Sequence, residues 1–157
     1  DMIQQDFRPI IETIYHADRI FVYGTGMVQR TVAKEMKRLF YHGRKNFFDF
    51  NGGDEFRALL KELNNRDLLI MISVSGERES LLEFVQKAKI KNVPVISITE
   101  RLKNPLAQLS DYNLYISTTA VEQNLSSVQY KSMTSYFILV EMLMLRYLEY
   151  LEEKEEL

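Results

Sequence analysis

The sequence has 157 residues, of which 46% are hydrophobic and 27% charged, a composition typical of one globular domain. It contains no cysteine and only two histidines, His16 and His42, which excludes disulfides, thiol chemistry and multi-histidine metal sites. The net charge of −2 gives no sign of nucleic-acid binding, and the longest apolar run, residues 136–145, is too short to span a bilayer. We therefore expect a cytoplasmic protein with no cofactor and no membrane partner.

Helical and extended hydrophobic patterns alternate along the whole chain. In chain order they predict helix 1–16, strand 19–24, helix 28–41, strand 45–50, helix 54–65, strand 67–74, helix 78–91, strand 93–98, a short helix after Pro105, strand 112–117 and helix 126–153. The third strand holds five consecutive apolar residues, which is typical of a central strand covered on both faces. The alternation predicts an α/β fold, a three-layer αβα sandwich around a five-stranded parallel sheet.

Open parallel sheets bind ligands beyond the carboxyl ends of their strands, so the loops that follow strands are candidate sites. The first such loop, Gly24-Thr25-Gly26, opens a helix, and its glycines let a ligand approach the backbone closely. Arg30 lies in the first turn of that helix, within reach of a bound phosphate. Because Gln29 stands where a dinucleotide-binding motif has its third glycine, a simple tight turn is an equally good interpretation.

The second loop follows the central strand and carries Ser73, Ser75, Gly76 and Arg78. Two hydroxyls, the free amides of residues 76–79 and the start of a helix form a cradle for phosphate, to which Arg78 could add a charge contact. The alternative is an ordinary capped helix, with Ser75 as the N-cap and a glutamate near the third position. Capping does not account for Ser73, so the sequence favours anion binding.

The third loop follows the fifth predicted strand and carries Thr119 and Glu122. It lies on the same edge of the predicted sheet as the other two loops, so Glu122 could reach a ligand bound there. A solvated loop glutamate is an equally good interpretation of the same residue.

Four segments taken together resemble the SIS (sugar isomerase) domain. They are Gly-Thr-Gly at 24–26, Ser-Val-Ser-Gly-Glu-Arg-Glu-Ser at 73–80, Gln-Lys-Ala-Lys-Ile-Lys-Asn-Val-Pro-Val-Ile-Ser-Ile-Thr at 86–99, and Asn-Pro-Leu-Ala-Gln-Leu-Ser-Asp-Tyr-Asn-Leu at 104–114. The resemblance runs from about Arg19 to Ser117 and extends to the flanking helices. It implies a flavodoxin-like or Rossmann-like sheet and a phosphosugar ligand.

The resemblance also implies roles for individual residues. Ser73 and Ser75 would hold the phosphate of the sugar, while Gly76 and the loop 24–26 would shape the pocket. The family usually has threonine where this chain has Arg78. That arginine either strengthens the charge contact with phosphate or blocks the site.

Two branches of this superfamily compete, namely phosphosugar isomerases and RpiR-type bacterial transcriptional regulators. The size, the first residue Asp1 and the Gly-Thr-Gly-x-x-Gln opening resemble the regulators. We therefore expect residues 1–157 to be a single SIS effector domain. It would be excised from a longer chain, in which an N-terminal helix-turn-helix domain makes all the DNA contacts.

Catalysis is the alternative, because ketose–aldose isomerisation needs a base to move a proton between adjacent carbons. Glu122 is the loop carboxylate that would serve, and a ring-opening histidine would have to be His16 or His42. Both histidines end predicted helices, where a histidine more often stabilises the helix terminus. The incomplete set favours sugar-phosphate sensing, with phosphosugar isomerase as the alternative function.

The last predicted helix is apolar on two faces, whereas a helix that packs on one side needs a single apolar stripe. One stripe holds Phe137, Val140 and Met144, and the other holds Ile138, Met142 and Leu145. The second stripe either packs inside the domain or forms the interface of a homodimer or homotetramer. The sequence favours the interface.

Overall fold

The computed structural model of the protein describes residues 5–117, 120–121 and 130–156. Its helices are α1 Arg8–His16, α2 Met27–Phe40, α3 Asp54–Glu62, α4 Glu79–Ile90, α5 Pro105–Leu109 and α6 Thr134–Glu153. Its strands are β1 Arg19–Gly24, β2 Phe47–Asp49, β3 Asp67–Ser73, β4 Val95–Thr99, β5 Tyr112–Tyr115, β6 Ala120–Val121 and β7 Tyr130–Lys131.

The five-stranded sheet has the order β2-β1-β3-β4-β5, and all of its strands are parallel. Its central strand β3 is buried along its entire length, as its continuous apolar run predicts. The chain passes from β1 to β2 on one side and from β3 to β5 on the other. The strand order therefore switches between β1 and β3, and the crevice at their carboxyl ends is the favoured ligand position in such sheets.

Two hydrophobic cores cover the two faces of the sheet, which confirms the predicted αβα sandwich. Successive residues of β3 alternate between them, with Ile70 and Ile72 in one core and Leu69 and Met71 in the other. The first core is closed by α1, α2 and α6, and the second by α3, α4 and α5. Because both faces are covered, polar ligands are restricted to the edges of the sheet.

The final helix begins later than the sequence predicts. The prediction of helix 126–153 is wrong at its start, because α6 begins at Thr134 and β7 pairs antiparallel with β6. Residues 126–129 lie outside the part of the chain that the structure describes. A stretch this short has no clear hydrophobic period, so it fits either a helix or a strand.

The first helix is also shorter than predicted. Residues 1–4 of the predicted helix 1–16 lie outside the described part, and α1 begins at Arg8 with Pro9 in its first turn. Proline is favoured at this position, since its missing N–H would have no partner there. The Asp6 carboxylate accepts a hydrogen bond from the Arg8 backbone N–H at 3.0 Å, which marks the start of the helix.

One stripe of α6 remains on the surface of the chain. Val140 is buried in the core, whereas Ile138 is 43% exposed and Leu145 is 50% exposed. Met142 is half-buried between the two faces. Complete packing of both stripes inside the domain is therefore wrong. No helix within residues 5–117, 120–121 and 130–156 is long and apolar enough to cross a bilayer.

Candidate functional site

The first two predicted loops lie side by side at the carboxyl edge of the sheet. The Thr25 backbone N–H donates to the Ile72 carbonyl at 3.0 Å, which joins the end of β1 to the end of β3. Gly24 allows the first turn of α2 to approach closely, since a Cβ there would lie 2.1 Å from the backbone carbon of Gln29. The two loops therefore meet where the strand order switches, as the sequence predicts.

The hydroxyl groups of the second loop accept hydrogen bonds from the loop's own backbone. Ser73 is buried, and its Oγ accepts from the Gly76 N–H at 3.0 Å. The Ser75 Oγ accepts from the Glu77 N–H at 3.3 Å. These bonds hold both oxygens in place and leave each hydroxyl hydrogen able to donate to an anion. The prediction that all the amides of residues 76–79 serve the anion is wrong for Gly76 and Glu77, whose N–H groups bond the serines.

Helix α4 starts without a side-chain cap. Its first residue is Glu79, its N-cap position is held by Arg78, and no side chain accepts a hydrogen bond there. The interpretation of Ser75 as the helix cap is therefore wrong, because its hydroxyl closes a turn with Glu77 before the helix begins. A 12-residue helix with uncapped N-terminal amides offers the positive end of its dipole to the loop.

The loop takes its shape from a close contact between Gly76 and Asn104. Gly76 has φ +65°, and a Cβ on it would lie 2.0 Å from Asn104 Oδ1. The Gly76 carbonyl in turn accepts a hydrogen bond from the Leu106 N–H at 3.0 Å. The loop after β3 therefore rests directly on the start of α5, and only glycine fits at this position.

The Asn104 side chain, which Gly76 contacts, is held in place by several hydrogen bonds. It is 3% exposed, and its Nδ2 donates to Thr99 Oγ1 at 3.1 Å and to the Arg101 carbonyl at 2.8 Å. Its Oδ1 accepts from the Ala107 N–H at 2.8 Å, so the same side chain caps α5. Sequence reasoning missed this role, although asparagine directly before Pro105 is a typical helix start.

The two arginines predicted at the site, Arg30 and Arg78, are exposed to solvent. Arg30 lies in the first turn of α2 and Arg78 at the start of α4. Neither side chain has a hydrogen bond or ion pair within the part of the chain that the structure describes. The Arg78 side chain is thus exposed and makes no hydrogen bond to Ser73 or Ser75. By contrast, Arg101 pairs with Glu77 at 3.1 Å.

The third predicted loop, residues 117–123, is described only at residues 117, 120 and 121. Thr119 and Glu122 both lie outside the described residues. Among residues 5–117, 120–121 and 130–156, no group of three or more histidine, aspartate or glutamate side chains is arranged to hold a metal ion. The described part of the site is therefore built from hydroxyls, backbone amides and guanidinium groups, which suit an anion.

Three hydrogen-bonded side chains beside the loops, centred on the buried Tyr136, were not predicted from the sequence. Gln29 Nε2 donates to the Tyr136 hydroxyl at 3.4 Å, and that hydroxyl donates to Glu100 Oε2 at 2.7 Å. Burial, and to a lesser extent the neighbouring carboxylate, raises the pKa of Tyr136, so the hydroxyl stays protonated. The sequence feature that could have indicated this arrangement is Gln29, a polar residue on the buried, apolar face of α2.

Comparison with known proteins places these features in a family. The SIS domain profile matches residues 13–146. The HTH-type transcriptional regulator GlvR of Bacillus subtilis is 31% identical over 151 residues, which cover 96% of this chain and 59% of GlvR. The chain therefore spans less than two thirds of that relative's length.

Two solved structures share the fold. The sugar isomerase domain of an RpiR transcription factor from Sphaerobacter thermophilus superimposes with a TM-score of 0.77 at 22% identity, covering 96% of this chain and 86% of that one. The NanR protein of Vibrio vulnificus, in complex with ManNAc-6P, gives a TM-score of 0.78 at 22% identity, covering 94% and 55%. At this level of identity the similarity establishes the architecture of the chain.

The contact between Gly76 and Asn104 predicts a specific pattern of stability changes. Gly76→Ala should lower the free energy of unfolding by about 1–2 kcal/mol for the positive φ, and further because Asn104 must move. In an Asn104→Ala background that further cost should disappear. Urea unfolding of both single variants and the double variant should therefore give a coupling of about 1 kcal/mol or more. Strictly additive losses would contradict the contact.

Proposed function

Because this chain belongs to the SIS domain family, we propose that it is the ligand-binding domain of an RpiR-type transcriptional regulator and that it senses a sugar phosphate. The observation that carries the proposal is the anion cradle formed by Ser73, Ser75 and the uncapped start of α4. The similarity to the HTH-type regulator GlvR, and the sugar phosphate bound by NanR, support it. A helix-turn-helix domain outside this chain would read the DNA, in the bacterial cytoplasm.

In this proposal the phosphate lies between the loops after β1 and β3. The hydroxyls of Ser73 and Ser75 donate to its oxygens together with the backbone amides of residues 78 and 79, since the Gly76 and Glu77 amides are bonded to the two serines. Gly24, Thr25 and Gly26 form the opposite wall of the site. The guanidinium groups of Arg30 and Arg78 supply positive charge at its rim, and Thr119 and Glu122 would contact the sugar.

The positions of the histidines favour binding over isomerisation. His16 ends α1 and lines a groove with residues at the starts of β3 and β5, namely Asp67 and Tyr112. His42 follows the end of α2, which runs from the carboxyl edge of the sheet to the amino edge. Within one chain, both imidazoles are therefore at the edge opposite the cradle, so neither can assist ring opening there.

We also propose that α6 and α2 form the interface of a homodimer, which could assemble further into a homotetramer. Ile138 and Leu145 are exposed on α6, and Met27 and Tyr41 are exposed on and just after α2, which packs against α6. Half of the exposed large hydrophobic side chains of the described residues thus belong to this one layer. A second copy of the chain would remove them from water.

Isothermal titration against a panel of sugar phosphates tests the proposed ligand. We expect at least one member to bind, and Ser75→Ala to weaken it by about 1.5–3 kcal/mol, roughly 10- to 150-fold, because a hydrogen bond to a charged oxygen is lost. Ser110→Ala, at the other edge of the sheet, should leave affinity unchanged. If no member binds the folded protein, the proposal is wrong. Uptake of solvent deuterium by a bound sugar would instead identify an isomerase.

Arg78 gives a second test of the same site. Arg78→Gln should weaken sugar-phosphate binding about 3- to 30-fold and reduce its dependence on salt, since an exposed charge near phosphate is removed. Arg66→Gln makes the same change at the opposite end of β3, where Arg66 pairs with Asp18, and should have little effect. Tighter binding by the Arg78 variant would show that this arginine obstructs the site.

Sedimentation velocity tests the proposed interface. Leu145→Lys should weaken self-association at least about tenfold, because it places a charge in the apolar stripe of α6. Ile90→Lys changes an even more exposed side chain on α4, in the opposite layer, and should leave the dimer intact. A wild-type chain that remains monomeric at 100-fold the concentration used for titration would contradict the interface.

A further inference from the structure

A hydrogen-bonded bridge with a buried centre connects the walls of the candidate site to the first turn of α6. Its centre is the hydroxyl of Tyr136, whose side chain is 0% exposed. Gln29 donates to this hydroxyl from one side, and Glu100 accepts from it on the other. We refer to Gln29, Tyr136 and Glu100 as the bridge.

Each end of the bridge contacts a loop of the site. The Gln29 amide covers Gly26 so closely that a Cβ on the glycine would lie 2.4 Å from Gln29 Oε1. At the other end, the Glu100 backbone N–H donates to the carbonyl of Val74 at 3.0 Å, and Val74 lies between Ser73 and Ser75 in the loop after β3. The loops after β1, β3 and β4 are therefore all held, directly or through one residue, by a single tyrosine of α6.

We infer that Tyr136 is a positioning residue through which occupancy of the phosphate site changes the first turns of α6. The inference rests on the proposed function, since it assigns that site its route to the rest of the molecule. A phosphate that draws the loops after β1 and β3 together shifts Gln29 and Glu100. Their shared partner follows, because the hydroxyl of the buried Tyr136 is hydrogen-bonded to both side chains.

Because Tyr136 lies in the first turn of α6, a displacement of its side chain would also move the neighbouring exposed residues of that helix. Tyr136 lies two residues before Ile138, the first residue of the exposed stripe, in the same helical turn. A small displacement of this turn therefore changes the surface that we propose as the dimer interface. Allosteric coupling of this kind requires a physical contact that both sites bias, and the bridge is such a contact.

Hydrogen exchange with inorganic phosphate as the probe tests the inference. In the wild-type protein, saturating phosphate should slow amide exchange both at residues 76–79 and at residues 138–141. In Tyr136→Phe the slowing at 76–79 should persist, whereas the slowing at 138–141 should fall at least about threefold. A merely structural role would change exchange equally with and without phosphate, leaving the difference intact.

Tyr147→Phe is the matched control. Tyr147 is also buried on α6, where burial raises its pKa to about 12, yet its hydroxyl has no hydrogen bond among the described residues. This variant should keep both effects of phosphate. If Tyr136→Phe also keeps the full effect at 138–141, or if phosphate slows 76–79 alone in the wild type, the inference is overturned.

The failure of the proposed function gives a different result. If phosphate protects neither segment of the wild-type protein, the phosphate site itself is contradicted, and the bridge is judged from the ligand-free proteins. Tyr136→Phe should then speed exchange at Gly26–Arg30 and at Glu100 at least about tenfold more than Tyr147→Phe does. Equal exchange in the two variants would overturn the role of the bridge in holding the loops.

Discussion

The candidate site depends on the contact in which a left-handed glycine rests on a buried asparagine. Gly76 turns the chain sharply after β3, and Asn104 occupies the space where any other residue would place its side chain. Because Asn104 also caps α5 and bonds Thr99, the loop after β3 is fixed against β4 and α5 together. The serine hydroxyls are thereby held in place without a ligand, and this preorganisation would lower the entropic cost of the phosphate binding that we propose.

The architecture was predictable because its signals are periodic and local. Alternating patterns identified all five strands of the sheet, and the continuous apolar run of β3 placed it at the centre. The loops at the carboxyl edge followed from the general behaviour of parallel sheets. The start of α6 was not predictable, since Tyr130 and Lys131 form a two-residue ladder too short to show a period.

The contacts that hold the loops of the candidate site in place were not predicted from the sequence, for a different reason. Asn104 contacts Gly76, and Tyr136 bonds Gln29. In both pairs the partner is distant in the chain and has no pattern in the sequence that marks it. No spacing rule connects a glutamine of α2 to a tyrosine more than a hundred residues later. Such contacts exist only once the sheet has brought its loops together, so they become visible in three dimensions alone.

The functional groups of the chain are divided between the two edges of the sheet, and this division is our reason for proposing binding rather than catalysis. The carboxyl edge gathers hydroxyls, amides and guanidinium groups around β1 and β3, whereas both imidazoles of the chain lie at the amino edge. A domain that binds a ligand without converting it can still affect other domains or subunits, provided that the ligand at one edge of the sheet moves a surface elsewhere. In this chain α6 is the candidate for such a surface, because Tyr136 bonds it to Glu100 beside the site while Ile138 and Leu145 are exposed.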